Sequence, residues 1–246
     1  MKDLITINDP KSHISEAYRG IRTSIQFSNL DKKIKVINVT SSKQGEGKTT
    51  VLANLAITFA NLEKKVLILD GDLRNPTIHR IFELSNVYGL TDVLLENKTF
   101  EECVYCTDTK NLHILTCGAI PPNPSEMLAS NKMTEFVNSL KDRYDYIFID
   151  TPPIGVVTDS GIVSTYSDGC IFVVGAKESE IETVKISIER LESLGANILG
   201  GILNKFEVNK GSSDYYSDYY KKGRRFMKKG KRIKEKEKNK CHDYKN

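Results

Sequence analysis

Tryptophan is absent from the 246 residues, methionine occurs four times and cysteine five, and no apolar run approaches the roughly 20 residues that a bilayer-spanning helix needs. An odd cysteine count without regular spacing argues against a disulfide framework and fits a reducing compartment, so no disulfide is expected. Residues 1–30 lack both the apolar core and the cleavage site of a secretory leader, which places the chain in the cytoplasm as an expectation. A balance of charge is also missing. The net charge of +4 is a sum of unlike parts: Lys221 to Asn246 hold 13 Lys and Arg against 3 Asp and Glu, a net of +10, and the first 220 residues carry −6. The basic excess falls in a segment with almost no apolar content rather than on a folded face, so nucleic acid is not an expected partner.

What is present, at 39% hydrophobic residues, suffices for one α/β core and argues against a second full domain. The centre of the pattern is Ser42-Lys43-Gln44-Gly45-Glu46-Gly47-Lys48-Thr49-Thr50. It follows the β-branched run that closes at Val39 and precedes Val51, Leu52, Leu55, Ala56 and Phe59, which recur at helical spacing. Strand, glycine loop and helix in this order form a phosphate-binding loop. Gly45 and Gly47 let backbone N–H groups converge on phosphate oxygens, and the helix N-terminus adds partial positive charge. Gly45, Glu46, Gly47, Lys48, Thr49 and Thr50 are the candidate nucleotide-binding residues, with Lys48 reaching the phosphates and Thr49 ligating Mg²⁺. Ser42 stands where the general G-x-x-x-x-G-K-[ST] pattern has its first glycine.

Two further apolar runs end in acids: Lys65 to Leu69 leads into Asp70-Gly71-Asp72-Leu73-Arg74, and Tyr146 to Ile149 leads into Asp150. Strands of a parallel sheet are buried on both faces, and ligands bind at their carboxyl ends. Lys48, Asp72 and Asp150 at three such ends are the parts needed to hold Mg²⁺·ATP and offset charge on a transferring phosphoryl group. The candidate catalytic residues are therefore Lys48, Asp70, Asp72 and Asp150, and the candidate metal ligands Thr49, Asp72 and Asp150. A tyrosine hydroxyl has an ordinary pKa of about 10, so an acceptor of that kind needs a nearby carboxylate to take its proton. Asp72 is the first candidate for that base and Asp70 the second.

Further strands are expected near 112–116, 170–175 and 198–203, and helices at 13–29, 91–95, 125–140, 160–166 and 180–194. The alternation predicts a doubly wound, mainly parallel sheet with helices on both faces. In the first helix Ser12 is the expected N-cap, Ile14, Tyr18, Ile21 and Ile25 form the apolar stripe, and Glu16, Arg19 and Arg22 share the polar side. Asn204, just past the last strand, is a candidate for the adenine edge. Cys103 and Cys106 form a C-x-x-C without a second pair, which favours a helix-face pair over a zinc site. His79 is expected on a helix surface. Beyond Lys205 periodicity ends, and Tyr215, Tyr216, Tyr219 and Tyr220 lie among serines, glycine and aspartates, where phenols are available as acceptors. The expected division is 1–30 for an N-terminal helix region, 31–206 for the P-loop domain and 207–246 for a flexible tail.

Taken together these motifs resemble the bacterial tyrosine kinases that govern capsule and exopolysaccharide synthesis, in their cytoplasmic Gram-positive form. The Walker A motif of that family corresponds to Gly45 to Thr50, Walker A′ to Leu69 to Arg74, Walker B to Ile147 to Asp150, and the tyrosine cluster to Tyr215 to Tyr220. Its Glu-x-x-Arg-x-x-Arg oligomerisation motif corresponds to Glu16, Arg19 and Arg22. The resemblance implies a P-loop NTPase fold, a ring-shaped homo-oligomer, autophosphorylation of one subunit's tail by its neighbour, phosphorylation of other protein substrates, and a separate transmembrane activator. It also implies recruitment to the inner face of the cell membrane, where the basic run from Lys221 would meet anionic lipid. The competing reading is a Min- or Par-type positioning or partitioning ATPase with a membrane- or nucleic-acid-binding tail. Lys43, five residues before Lys48, stands where those proteins keep a lysine that crosses a dimer interface, although Gln44 follows it where they usually have glycine.

Overall fold

The computed structural model describes residues 4–28 and 34–207; the tyrosine cluster and the basic run lie outside them. Seven strands, β1 (Val36–Ser41), β2 (Val66–Asp70), β3 (Val104–Cys106), β4 (Leu112–Leu115), β5 (Tyr146–Asp150), β6 (Gly169–Gly175) and β7 (Ile198–Asn204), form one sheet in the order β3-β4-β2-β5-β1-β6-β7. Every pairing is parallel except that of β3 with β4 at one edge. Ten helices accompany them among the described residues: α1 (Ile5–Asn8), α2 (His13–Ser28), α3 (Lys48–Ala60), α4 (Ile78–Ile81), α5 (Leu90–Leu94), α6 (Phe100–Cys103), α7 (Pro124–Leu128), α8 (Asn131–Leu140), α9 (Asp159–Ser164) and α10 (Ile181–Ser193).

The two-residue period of the strands sorts the core into two layers. Ile37, Val39, Val66, Ile68, Tyr146 and Phe148 meet α2, α3 and α4 on one face. Val36, Leu67, Leu69, Ile147 and Ile149 meet α5, α8 and α9 on the other. Because α1 and α2 cover α3 from outside, α3 is buried from Val51 to Ala60. The chain leaves β1 toward β2 on one side and crosses back from β5 to β6 on the other. Such a reversal opens a crevice at the carboxyl ends of the central strands.

The expected elements are present, with differences at their margins. The helix expected at 125–140 breaks into α7 and α8, because Ser130 turns out of the helix and its side chain accepts the Met133 N–H as the N-cap of α8. Ser12 caps α2, its Oγ accepting from Ser15 N at 3.1 Å. Tyr18 and Ile25 point inward, but Ile14 is exposed, and Ser15 is buried in its place with Oγ 2.8 Å from the Asp9 carbonyl. The C-x-x-C pair does not share a helix face: buried Cys103 ends α6, exposed Cys106 ends β3, and both are free thiols. Among the described residues, no helix is long and apolar enough to cross a membrane.

Asn54 fastens α1 to the helix that carries the site: its Oδ1 accepts from Thr6 N at 3.0 Å and Thr6 Oγ1 at 2.9 Å, and its Nδ2 donates to Thr50 O at 2.9 Å. Asn54→Ala strands these buried donors and is expected to lower stability by about 2 kcal/mol. Urea denaturation checks this; an unchanged midpoint would contradict the tether.

Candidate active site

The phosphate loop turns from β1 into α3 with two left-handed glycines, Gly45 at φ 88° and Gly47 at φ 87°. Open space lies where a Gly45 side chain would begin, whereas a Cβ on Gly47 would fall 2.2 Å from Asn204 Nδ2. Ser42 proves suited to the place of the missing glycine: it is buried, and its Oγ donates to Glu46 Oε2 at 2.9 Å. That same carboxylate oxygen accepts Lys43 N at 2.8 Å, while Oε1 accepts from Gly175 N at 3.1 Å and from Ser179 Oγ. Burial would raise the Glu46 pKa, but these four hydrogen bonds outweigh it and hold the carboxyl below its ordinary value. The Glu46 side chain is therefore taken up in closing the loop onto β6, a use the motif does not announce. Asn204, expected at the adenine edge, donates Nδ2 to Glu46 O at 2.9 Å and so braces the loop from β7.

The carboxylates arrive by strand register. Asp70 and Asp150 are paired neighbours at the ends of β2 and β5, and Asp72 follows one residue beyond Gly71. Lys48 Nζ lies 3.1 Å from Asp72 Oδ2 and 3.9 Å from Asp150 Oδ1, and Thr49 Oγ1 donates to Asp150 Oδ2 at 2.7 Å. Asp72 Oδ1 accepts from Asn75 N at 3.0 Å, and Asp70 Oδ2 accepts from Ile78 N at 3.1 Å. Sequence-predicted Lys48, Thr49, Asp70, Asp72 and Asp150 thus converge on one crevice. Burial first, then the neighbouring Asp150 charge, push Asp70 well above the usual carboxylate range. Burial likewise raises Asp150, against the pull of Lys48 and Thr49, to about 6. Burial would lower the Lys48 pKa, but the charges of Asp150, Asp72 and Asp70 and the Asp72 hydrogen bond raise it overall.

Two supporting residues escaped the sequence reading. Arg74 donates through Nε to Asp159 Oδ2 at 2.8 Å and through Nη2 to Ser125 Oγ at 2.7 Å, and Ser125 Oγ donates in turn to Asp159 Oδ1 at 2.9 Å. Fully buried Asp159 thereby holds the loop after β2 from α9. In sequence it is only an acid in the first turn of a short helix, 85 residues from its partner. Gly155 is equally inconspicuous. A Cβ there would stand 2.0 Å from Ser42 O, so the loop after β5 can lie against the phosphate loop only with glycine.

The expected oligomerisation residues sit apart from the crevice, on α2. Arg19 Nη2 contacts Glu16 Oε1 at 2.6 Å and Pro10 O at 2.7 Å. Arg22 turns inward, donating Nη1 to Thr58 O at 2.8 Å near the end of α3.

The crevice fits a metal-bound phosphate chain by the chemistry of its donors. The α3 N-terminus has no side-chain cap, so its N–H groups remain for anion oxygens. Oδ1 of Asp70 and Oδ1 of Asp150 are buried without a hydrogen-bond partner. A hydroxyl and crowded carboxylates form the hard oxygen set suited to Mg²⁺, which keeps several waters and takes the rest of its shell from few protein groups and phosphates.

The same crowding gives a test. A carboxyl raised in the folded state holds its proton where the unfolded chain has lost it, so stability falls as pH rises through that window and the penalty is complete above it. Without nucleotide, Asp70→Asn removes the penalty and is expected to raise the melting temperature at pH 7.5 by roughly 2–4 °C per kcal/mol recovered for a domain of this size. It should also flatten the fall of stability with rising pH above the ordinary carboxylate range. Calorimetry that shows a less stable variant at pH 7.5 would refute the account of crowding.

Comparison with known proteins agrees with this geometry. Residues 34–198 match the family described as AAA domain. Tyrosine-protein kinase YwqD of Bacillus subtilis is 41% identical over 228 residues, 93% of this chain and 95% of that one. Among solved structures, the chimerical protein CapA2B2 superposes with TM-score 0.82 at 39% identity over 85% of this chain and 92% of that one. The kinase domain of Escherichia coli tyrosine kinase ETK does so with 0.81 at 30% identity, covering 84% and 81%. Septum site-determining protein MinD of Pyrococcus horikoshii, complexed with Mg-ADP, aligns less well, with TM-score 0.61 at 31% identity over 72% of each. A P-loop crevice with three strand-end aspartates, in a chain matched nearly end to end by a tyrosine-protein kinase, places this protein in the family of bacterial tyrosine-protein kinases.

Proposed function

We propose that the chain carries the γ-phosphoryl group of ATP to tyrosines of its own kind, Tyr215, Tyr216, Tyr219 and Tyr220 on a neighbouring copy, and through this regulates capsular or extracellular polysaccharide synthesis. The observation that carries the reading is the meeting of Lys48, Asp72 and Asp150 at the carboxyl ends of adjacent strands, in a tyrosine-kinase relative. When bound, Mg²⁺·ATP supplies the group to be transferred and positive charge beside it. The amides of Gly45 to Thr50 and Lys48 Nζ hold phosphate oxygens, and Thr49, Asp72 and Asp150 are the residues that would hold the metal. Asp72 is assigned as the base that accepts the phenolic proton, because it borders Lys48 and is less enclosed than Asp70. Asp70, fully buried and raised in pKa, fits an electrostatic part better than contact with an incoming phenol.

In this reading the core is the P-loop domain of residues 31–206, residues 1–30 serve assembly, and 207–246 form the tail that is phosphorylated. Assembly is a homo-oligomeric ring through Glu16 and Arg19, with Arg22 acting partly within its own chain. The chain works in the cytoplasm at the inner face of the membrane, with a separate transmembrane activator, other tyrosine-bearing protein substrates, and lipid contact through the basic run. A positioning ATPase would need Lys43 to reach a partner copy, whereas its Nζ donates to the Glu178 carbonyl of its own chain.

Purified protein with Mg²⁺ and ATP is expected to acquire phosphotyrosine within residues 215–220, and Lys48→Met to acquire none, by mass spectrometry. Hydrolysis without phosphotyrosine, even with an activating partner fragment present, would leave an ATPase instead. Arg19→Ala with Arg22→Ala is expected to dissociate the oligomer in light scattering, and an unaltered mass would remove α2 from the interface.

A further inference from the structure

Thr77 stands at the head of α4, where a threonine hydroxyl ordinarily accepts an N–H of its own helix, yet its side chain makes no such bond. The carboxylate of Asp70 serves the helix instead, with Ile78 N donating to Oδ2 at 3.1 Å. The Thr77 hydroxyl turns to the phosphate loop: its Oγ1 donates to Thr49 Oγ1 at 3.1 Å, and Thr49 Oγ1 donates in turn to Asp150 Oδ2 at 2.7 Å. A hydroxyl has one proton and two lone pairs. With its proton given to Asp150 and one lone pair to Thr77, Thr49 keeps a single lone pair. The backbone that presents Thr77 is itself tied down. Asn75 N donates to Asp72 Oδ1 at 3.0 Å, Pro76 is buried with its φ fixed by the ring, and Arg80 N donates to the Thr77 carbonyl at 3.1 Å.

We propose that Thr77 is a positioning residue for Mg²⁺, acting through Thr49. The bond to Asp150 alone holds the Thr49 hydroxyl at one point and leaves two lone pairs open. The bond from Thr77 closes one of them and holds the hydroxyl at a second point, so the remaining lone pair has one direction, available to the metal. Partners that orient a metal ligand in this way contribute roughly 10–100-fold to metal affinity. Thr77 lies 28 residues from Thr49, outside the phosphate loop and the strand-end acids, so the motifs do not mark it. The same arrangement gives Asp70 a task suited to full burial: it holds the head of α4, and with it the place of Thr77. The inference rests on the reading of the crevice as a site for Mg²⁺ and nucleotide, and on nothing about the phosphoryl acceptor.

The test reads metal binding and needs no phosphotransfer. The full chain, in excess over a fluorescent ADP analogue and freed of trace metal by a chelator, is titrated with Mg²⁺ as wild type, Thr77→Val and Thr77→Ser. Valine keeps the branched shape without the hydroxyl, serine keeps the hydroxyl, and circular dichroism checks the fold of each. Thr77→Val is expected to bind the analogue normally without metal and to need about tenfold more Mg²⁺ for the half-maximal response, and Thr77→Ser to recover most of the loss. In a Thr49→Ala chain, Thr77→Val is expected to shift the midpoint no further, because no hydroxyl is left to orient. An unchanged midpoint in Thr77→Val, nucleotide binding weakened equally with and without Mg²⁺, no recovery with serine, or a full further shift in the Thr49→Ala chain would each overturn the assignment. A wild-type chain indifferent to Mg²⁺ would remove the metal reading of the crevice and this inference with it, whereas a wild-type response that Thr77→Val shares would remove the inference alone.

Discussion

Three buried carboxylates share one lysine at the carboxyl edge of the sheet, and much of the remaining structure exists to keep them there. Burial first, and then the negative charge of their neighbours, raises the pKa of Asp70 and Asp150 in this low-dielectric interior. Lys48 offsets only part of this, at 3.1 Å from Asp72 and 3.9 Å from Asp150. The interior therefore holds negative charge short of a counter-ion, which is a costly arrangement for a merely structural cluster and a suitable one for a site completed by a divalent cation. The parallel register of β2 with β5 enforces it, because pairing Leu69 with Ile149 sets Asp70 beside Asp150.

Around this cluster the phosphate loop is held from outside rather than by its own turns. Glu46 is anchored by Ser42, Gly175 and Ser179, and Asn204 holds the carbonyl of Glu46. On the other side, Arg74, Ser125 and Asp159 hold the segment that carries Asp72. The loop geometry depends in this way on β6, β7, α7 and α9 at once. Such restraint fits catalysis by positioning, where displacements of about 1 Å matter.

The motif residues were legible because their chemistry is local: a glycine loop between strand and helix, and acids at the ends of apolar runs, announce themselves within a dozen residues. Strand order and the supporting contacts were not. Asp159 and Gly155 look like ordinary turn residues, and their importance appears only when Arg74 and Ser42 come from elsewhere in the chain to meet them. The side chains of Glu46 and Asn204 brace the loop, a contact no local pattern records, since nothing in sequence tells which way a side chain turns. The break at Ser130 and the two-element span of Cys103 and Cys106 were missed for a related reason. Both depend on where a short element stops, and tertiary packing decides that more than propensity does.

The amino-acid sequence by itself determined the class of fold, the place of the phosphate loop, and the set Lys48, Thr49, Asp70, Asp72 and Asp150, because periodicity and residue type act over short distances. Only the tertiary structure decided that Arg22 caps the far end of α3 from within its own chain, that Lys43 is held by Glu178, and that Arg74 reaches Asp159 on α9. Each of these joins residues separated by tens of positions, and such meetings are set by strand order and helix packing, which no local pattern records.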